Sequence, residues 1–197
     1  MTSNIAAIAC TALLLTTSGL ASAGVVWQSS NCAAPSNAQG ARECYSSGSP
    51  LPFSVELSGW SASSTGKFSS AKLVGYAEGF GITRSNESGS PQHAIDNNNG
   101  TDAILMHFNA EVALNRLATG WAYNDADISI LRYTGDQAPV LGASKVSNLL
   151  NVPGWELVGN YHTLRTNVAL DFNTDGKSAA WWLVSAYNSA YTGIAPT

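Results

Sequence analysis

Apolar and polar residues alternate along most of this chain from residue 53 onward, and this period of two limits its fold more than any other feature. Phe53, Val55 and Leu57 alternate with serine and glutamate, as in a strand with one buried face. Residues 103–108 are almost entirely apolar, which is typical of a strand covered on both faces. The pattern predicts an all-β protein, an antiparallel two-sheet sandwich that is jelly-roll-like.

Two stretches add detail to this prediction. Residues 144–150 have apolar residues at helical spacing, so we expect one short helix there, with Ser144 as its cap. Residues 74–82 form a strand pattern in which large side chains share one parity and glycines the other. The glycine side predicts a bulge or a close approach by backbone or a large side chain at Gly75, Gly79 and Gly81.

The first 23 residues predict a signal peptide. Residues 5–15 form an apolar run of about 11 residues, too short for a bilayer that needs about 20. Ala21, Ser22 and Ala23 then supply the small-x-small pattern of a cleavage site, so we expect cleavage before Gly24. The alternative is a buried N-terminal helix. Residues 24–197 are enough for one β-sandwich domain, and we expect no transmembrane segment in this mature chain.

Cysteine usage agrees with export to an oxidising compartment. Cys10 leaves with the predicted leader, and Cys32 and Cys44 remain as a pair around a short polar loop. A tetrahedral metal site would need further cysteine or histidine ligands nearby, so a disulfide is the favoured interpretation. Two free buried thiols are the alternative.

Composition argues against nucleic acid as a partner. Charged residues make up 11% of the chain, the net charge is -4, and the nine lysines and arginines are scattered singly. A nucleic-acid surface would gather basic residues on one face or along one helix.

Two polar segments, each followed by a strand pattern, carry the metal hypothesis. Carboxylate and amide oxygens are the ligands that Ca²⁺ prefers, in sets of six to eight and in irregular loops. Aspartate and asparagine also build turns through their own hydrogen bonds, so turn formation is the competing explanation. The candidate Ca²⁺ ligands are Asp96, Asn98, Asp102, Asp125 and Asp127.

Tryptophan side chains carry the sugar-binding hypothesis, because a flat indole ring can stack on a pyranose ring. The candidate stacking residues are Trp60, Trp121, Trp155, Trp181 and Trp182. Trp181 and Trp182 are adjacent on a predicted strand, so they point to opposite faces and at most one lies in the core. Burial under a loop or neighbouring strand is the alternative for each ring.

Nothing in the sequence predicts an enzyme. The three histidines lie outside any Gly-x-Ser-x-Gly or His-Glu-x-x-His pattern. A triad or a facing carboxylate pair assembled through space would not be visible at this level. We therefore predict a non-enzymatic protein.

Several short blocks, in this order, resemble exosortase-dependent surface proteins of the PEP-CTERM type. They are GFGI at 79–82, PQHAIDN at 91–97, TDAIL at 101–105, GW at 120–121, DADI at 125–128, LRY at 131–133 and WLVSAYN at 182–188. The resemblance implies a Gram-negative bacterium and a place at the cell surface or in an extracellular matrix. The family's C-terminal sorting tail is lacking from the residues up to Thr197, which contain no Val-Pro-Glu-Pro-like motif, apolar segment or basic cluster there. Either the tail was truncated or lost, or the protein is simply secreted, so exosortase processing is not among the expectations.

Together these features predict a secreted or cell-surface protein that acts by adhesion or assembly, with extracellular polysaccharide or a second copy of itself as its partner. A carbohydrate-binding module is the alternative function. The two differ in whether the chain binds glycans or associates with itself.

Overall fold

The computed structural model describes residues 5–9, 26–47, 53–63, 66–84, 87, 93–98, 100–123 and 126–191. These residues form thirteen strands and two short 3-10 helices, at Leu141–Ala143 and Val146–Asn151. The strands are β1 (Ile5–Ala9), β2 (Val26–Cys32), β3 (Arg42–Ser47), β4 (Ser54–Ala62), β5 (Ser69–Tyr76), β6 (Gly79–Thr83), β7 (Ile95–Asp96), β8 (Thr101–Val112), β9 (Arg116–Tyr123), β10 (Ile128–Tyr133), β11 (Trp155–Tyr161), β12 (Ala169–Asp171) and β13 (Ala179–Ala186).

The strands form two antiparallel sheets, which confirms the predicted all-β sandwich. The first sheet has the order β11-β10-β13-β8-β4, with β3 and β2 continuing beyond β4. The second has the order β5-β6-β1-β9-β12, with β7 beside β1. Inward-facing aliphatic and aromatic residues of both sheets, among them Leu57, Ile82, Met106 and Trp182, form the main core.

Strand β5 joins the two sheets. Its first residues pair with β4, and Lys72 to Tyr76 pair with β6. A side chain at Gly59 of β4 would meet the carbonyl oxygen of Ala71 at 2.7 Å, so glycine permits this crossing.

The central strand β8 is covered on both faces, as the apolar run at 103–108 predicted. Ile104 and Met106 face the main core, and Leu105 belongs to a second core on the outer face of the first sheet. That outer core is closed by Leu141, Val146 and Leu149 of the 3-10 helices.

The predicted helix at 144–150 is only partly right. Ser144 is the C-cap of the first 3-10 helix, with extended backbone, and Lys145 is the N-cap of the second, without a side-chain cap hydrogen bond. Val146 and Leu149 are both buried against the sheet. A spacing of three residues puts both side chains on one face of a 3-10 turn.

Residues 74–82 form a hairpin rather than one strand. Tyr76 pairs with Gly79, so Ala77 and Glu78 are the two-residue turn. The expected close approach is present, because a side chain at Gly81 would meet the carbonyl oxygen of His93 at 1.9 Å.

Cys32 and Cys44 form a disulfide, as predicted, across the paired strands β2 and β3. Cys44 is buried in the main core, so the bond ties this hairpin to the sandwich.

Replacing both cysteines with alanine is expected to lower the free energy of unfolding by about 3 kcal/mol, because the unfolded chain regains the entropy of an open loop. Urea denaturation measures this loss. The double variant should be insensitive to reductant, and identical midpoints for oxidised and reduced wild type would contradict the prediction.

Within the predicted leader the structure describes only residues 5–9. They form β1, which pairs with β9 on one side and with β6 and β7 on the other. Cleavage before Gly24 remains a prediction. Among the described residues there is no helix with the length and apolar character needed to cross a bilayer.

Candidate functional site

A buried acidic cluster lies at one end of the sandwich, where β7 and β8 meet the end of β6. It consists of Glu87, Asp96 and Asp102, whose nearest carboxylate oxygens lie within 4.8 Å of one another. Asp102 follows the first residue of β8 and pairs with Ser61 of β4. Both aspartate side chains are fully buried.

Local turn chemistry fixes this arrangement. The backbone N–H of Asn98 donates to Asp96 Oδ1 at 2.8 Å, which is the hydrogen bond of an Asx turn. Gly100 then allows the chain to pass close to β4, since a side chain there would meet the carbonyl oxygen of Ala62 at 2.2 Å. The turn therefore brings the side chains of Asp96 and Asp102 close together.

Arg84 is the cation that faces this cluster. Its Nε donates to Glu87 Oε1 at 2.7 Å, and its backbone N–H donates to Glu87 Oε2 at 2.8 Å. A second guanidinium nitrogen donates to the carbonyl oxygen of Asn98. Asp96 and Asp102 each have an oxygen 3.5 Å from the guanidinium.

The cluster contains three carboxyl groups and faces one guanidinium, so its ionised form carries an excess of negative charge. Burial raises the pKa of Asp102 to about 7, against the lowering by the Ser61 hydroxyl and Arg84. Burial likewise raises the pKa of Asp96 to about 6, and the hydrogen bond from Asn98 opposes the rise. Glu87 raises both values further by repulsion. The protein thus holds two aspartates whose ionised forms are disfavoured at this position.

Several buried oxygens around the cluster have no hydrogen-bond partner of standard geometry among the described residues. They are Asp96 Oδ2, both carboxylate oxygens of Asp102, Ser61 Oγ and Thr83 Oγ1. Ser61, Thr83 and Arg84 also line a groove of about 620 Å³ that opens beside the cluster. Chemically, the arrangement is a set of hard oxygen ligands next to a groove.

The structure gathers only part of the predicted metal-ligand set. Asp96 and Asp102 are together, whereas Asn98 contributes its backbone to the turn and to Arg84. Asp127 lies outside the cluster, where it accepts from the Thr163 backbone N–H and pairs with His162. Its place beside a different loop separates it from Asp96 and Asp102, and its role as a Ca²⁺ ligand stays a prediction. Asp125 lies outside the described residues.

The tryptophans predicted to stack on sugars differ in how deeply they are buried. Trp182 is fully buried and Trp155 is 5% exposed, so both are core residues and the stacking prediction is wrong for them. Trp60, Trp121 and Trp181 are half-buried. Trp181 and Trp182 face opposite sides of the first sheet, the outer core and the main core respectively.

A second candidate site lies on the outer face of the first sheet. One row of paired residues crosses six strands from β3 to β11, in the order Glu43, Glu56, His107, Trp181, Tyr133 and Trp155. The His107 and Trp181 rings are stacked, with centroids 3.7 Å apart and planes 4° apart. The acidic end of the row borders a groove of about 360 Å³ lined by Ser36, Glu43, Ser54, Glu56, His107 and Asn109.

Neither this groove, nor Glu87 of the acidic cluster and its cation Arg84, was predicted from the sequence. Glu43, Glu56 and His107 come from three different strands, and only the sheet register makes them neighbours. Arg84 and Glu87 carried one usable signal, a charge pair three residues apart immediately after a strand.

A scan against models of protein families found no match, and neither did searches of curated proteins and of solved structures. The resemblance to PEP-CTERM surface proteins therefore stays a prediction from the sequence blocks.

Proposed function

We propose that this chain is a non-enzymatic, secreted or cell-surface protein of a Gram-negative bacterium that acts by adhesion, and that it adheres by binding extracellular polysaccharide in the groove beside His107. The observation that carries the proposal is the stacked pair. Trp181 covers one face of the imidazole, and His107 lines a groove whose other residues are all polar.

The lining of this groove suits a sugar chain. A pyranose ring offers apolar C–H groups, which pack on aromatic faces, and hydroxyl groups, which need hydrogen-bond acceptors. Glu43 and Glu56 supply exposed carboxylate oxygens beside the ring of His107. The volume lies within the range of roughly 300 to 1,000 Å³ that is common for ligand clefts.

The stacked rings of His107 and Trp181 are held in place by packing before any ligand binds. Trp181 packs on the outer core, and its row neighbour Tyr133 contacts Trp155 with ring centroids 5.1 Å apart. Aromatic side chains that are already ordered lose little conformational entropy on binding. This favours recognition of a weakly binding, repetitive ligand such as a polysaccharide.

The test is affinity electrophoresis of the folded protein in gels that contain neutral polysaccharides, with dissociation constants from titration against soluble oligosaccharides. We expect retardation by at least one neutral glycan. Replacing His107 with alanine, and separately Glu56 with alanine, should weaken binding at least about tenfold, because each removes one side of the groove. The fluorescence of Trp181 should change on binding in the wild type.

Glu78→Ala is the matched control, since Glu78 is an exposed glutamate in the β5-β6 turn and is not part of the groove. Analytical ultracentrifugation of the same samples measures self-association. Unretarded migration in every polysaccharide, or equal losses in the Glu56 and Glu78 variants, would contradict the proposal. Self-association without glycan binding would favour assembly in place of adhesion to polysaccharide.

A further inference from the structure

We infer that Glu87, Asp96 and Asp102 form a binding site for one Ca²⁺ ion. This site is separate from the groove beside His107 and does not depend on polysaccharide binding. It shares only two residues with the ligand set predicted from the sequence.

The first argument is the spacing of the carboxylates. One oxygen from each residue lies within 4.8 Å of the other two. Oxygen ligands of Ca²⁺ lie about 2.3 to 2.6 Å from the ion, so two ligands on opposite sides are separated by about 5 Å. The three groups can therefore contact a single ion once the Arg84 guanidinium, which is bonded to Glu87 and lies 3.5 Å from both aspartates, moves aside.

The second argument is independent of the clustering and concerns Asp102 alone. This side chain is fully buried, yet neither of its oxygens receives a hydrogen bond of standard geometry from the described residues. Arg84 is 3.5 Å away and directs its Nε to Glu87 at 2.7 Å. Buried carboxylates normally have partners, because an unpaired charge in the interior is costly. The Asp102 carboxylate thus faces the cluster with Arg84 as an ion-pair partner at 3.5 Å and without a hydrogen bond of standard geometry.

The surroundings favour Ca²⁺ over Mg²⁺. Ser61 Oγ and Thr83 Oγ1 are further buried oxygens without a hydrogen bond of standard geometry to any described residue, and both residues line the groove beside the cluster. Ca²⁺ accepts six to eight oxygens in irregular geometry, including both oxygens of one carboxylate. Mg²⁺ requires a near-octahedral shell and loses its waters reluctantly, which a buried set of mixed carboxylates and hydroxyls does not suit.

The experiment is isothermal titration of chelator-treated full-length protein with CaCl₂ at pH 8, together with thermal melts in chelator and in CaCl₂ at constant ionic strength. We expect one Ca²⁺ per chain. The melting temperature should rise by roughly 5 to 10 °C when the ion is about a hundredfold above its dissociation constant. MgCl₂ should give a clearly smaller rise.

Asp102→Asn keeps the shape of the side chain and removes its charge, so it should weaken Ca²⁺ binding at least about tenfold. Glu87→Gln provides a second test if the Asp102 variant does not fold. Asp127→Asn is the control, because this aspartate lies outside the cluster.

Three results would overturn the assignment. One is the absence of binding heat together with equal melting temperatures in chelator and Ca²⁺. Another is unchanged Ca²⁺ affinity in both the Asp102 and the Glu87 variants. A loss of affinity in Asp127→Asn as large as in Asp102→Asn would show that the ion binds elsewhere.

Discussion

Arg84→Met is expected to lower the free energy of unfolding by about 3 to 5 kcal/mol in the presence of chelator. The substitution leaves three carboxylates at the end of the sandwich without their cation, and removing one partner of a buried ion pair commonly costs this much. It also removes the hydrogen bond from the guanidinium to the carbonyl oxygen of Asn98, which holds the turn before β8. Urea denaturation at neutral pH measures the loss.

Arg116→Met is the matched control for this prediction. Arg116 pairs with Asp171 on the surface, where both side chains are about half exposed or more. Exposed ion pairs contribute about 1 kcal/mol or less, so the control should change stability little. If the two variants lose similar amounts, Arg84 is not the essential counter-charge of the cluster. Ca²⁺ should recover part of the loss in Arg84→Met, since the ion would supply the missing positive charge.

The metal-free protein is expected to lose stability as the pH rises from about 4 to about 7. An aspartate in the unfolded chain titrates near pH 4, whereas in the folded protein Asp96 and Asp102 have pKa values of about 6 and about 7. Within this window the folded state holds more protons than the unfolded state. Each extra proton makes stability fall by about 1.4 kcal/mol per pH unit, and above pH 7 the full penalty is present.

Unfolding by urea at several pH values in chelator measures this slope. Asp102→Asn should flatten the curve, because the amide does not titrate. The lowered pKa of Asp171 beside Arg116 acts in the opposite direction, but its effect falls below pH 4 and leaves the window unchanged. A flat profile between pH 4 and 7 in the wild type, or parallel profiles for wild type and Asp102→Asn, would contradict the prediction.

Strand periodicity predicted the sandwich well because most strands bury only one face. Val55 and Leu57 of β4 are buried and Glu56 is exposed, as their alternation indicated. The apolar run in β8 was also informative, since the 3-10 segment covers its second face. The hairpin at β5 and β6 was missed because its turn, Ala77 and Glu78, has none of the glycine or asparagine that marks two-residue turns.

The candidate sites were less predictable for a different reason. Asp96 and Asp102 are six residues apart and share one turn, so local sequence brought them to attention together. The groove beside His107 depends on pairing among β3, β4 and β8, and residues 51 positions apart become neighbours there. A period along one strand carries no information about register between strands distant in sequence.

The position of β1 ties the predicted leader to the integrity of the second sheet. Ile5–Ala9 lies between β6 and β9, so removal of residues 1–23 would leave the backbone groups of two facing strand edges without partners. Open edges accept other strands readily. The predicted cleavage before Gly24 would therefore convert two paired strands, β6 and β9, into edges open to β-strand addition by another chain.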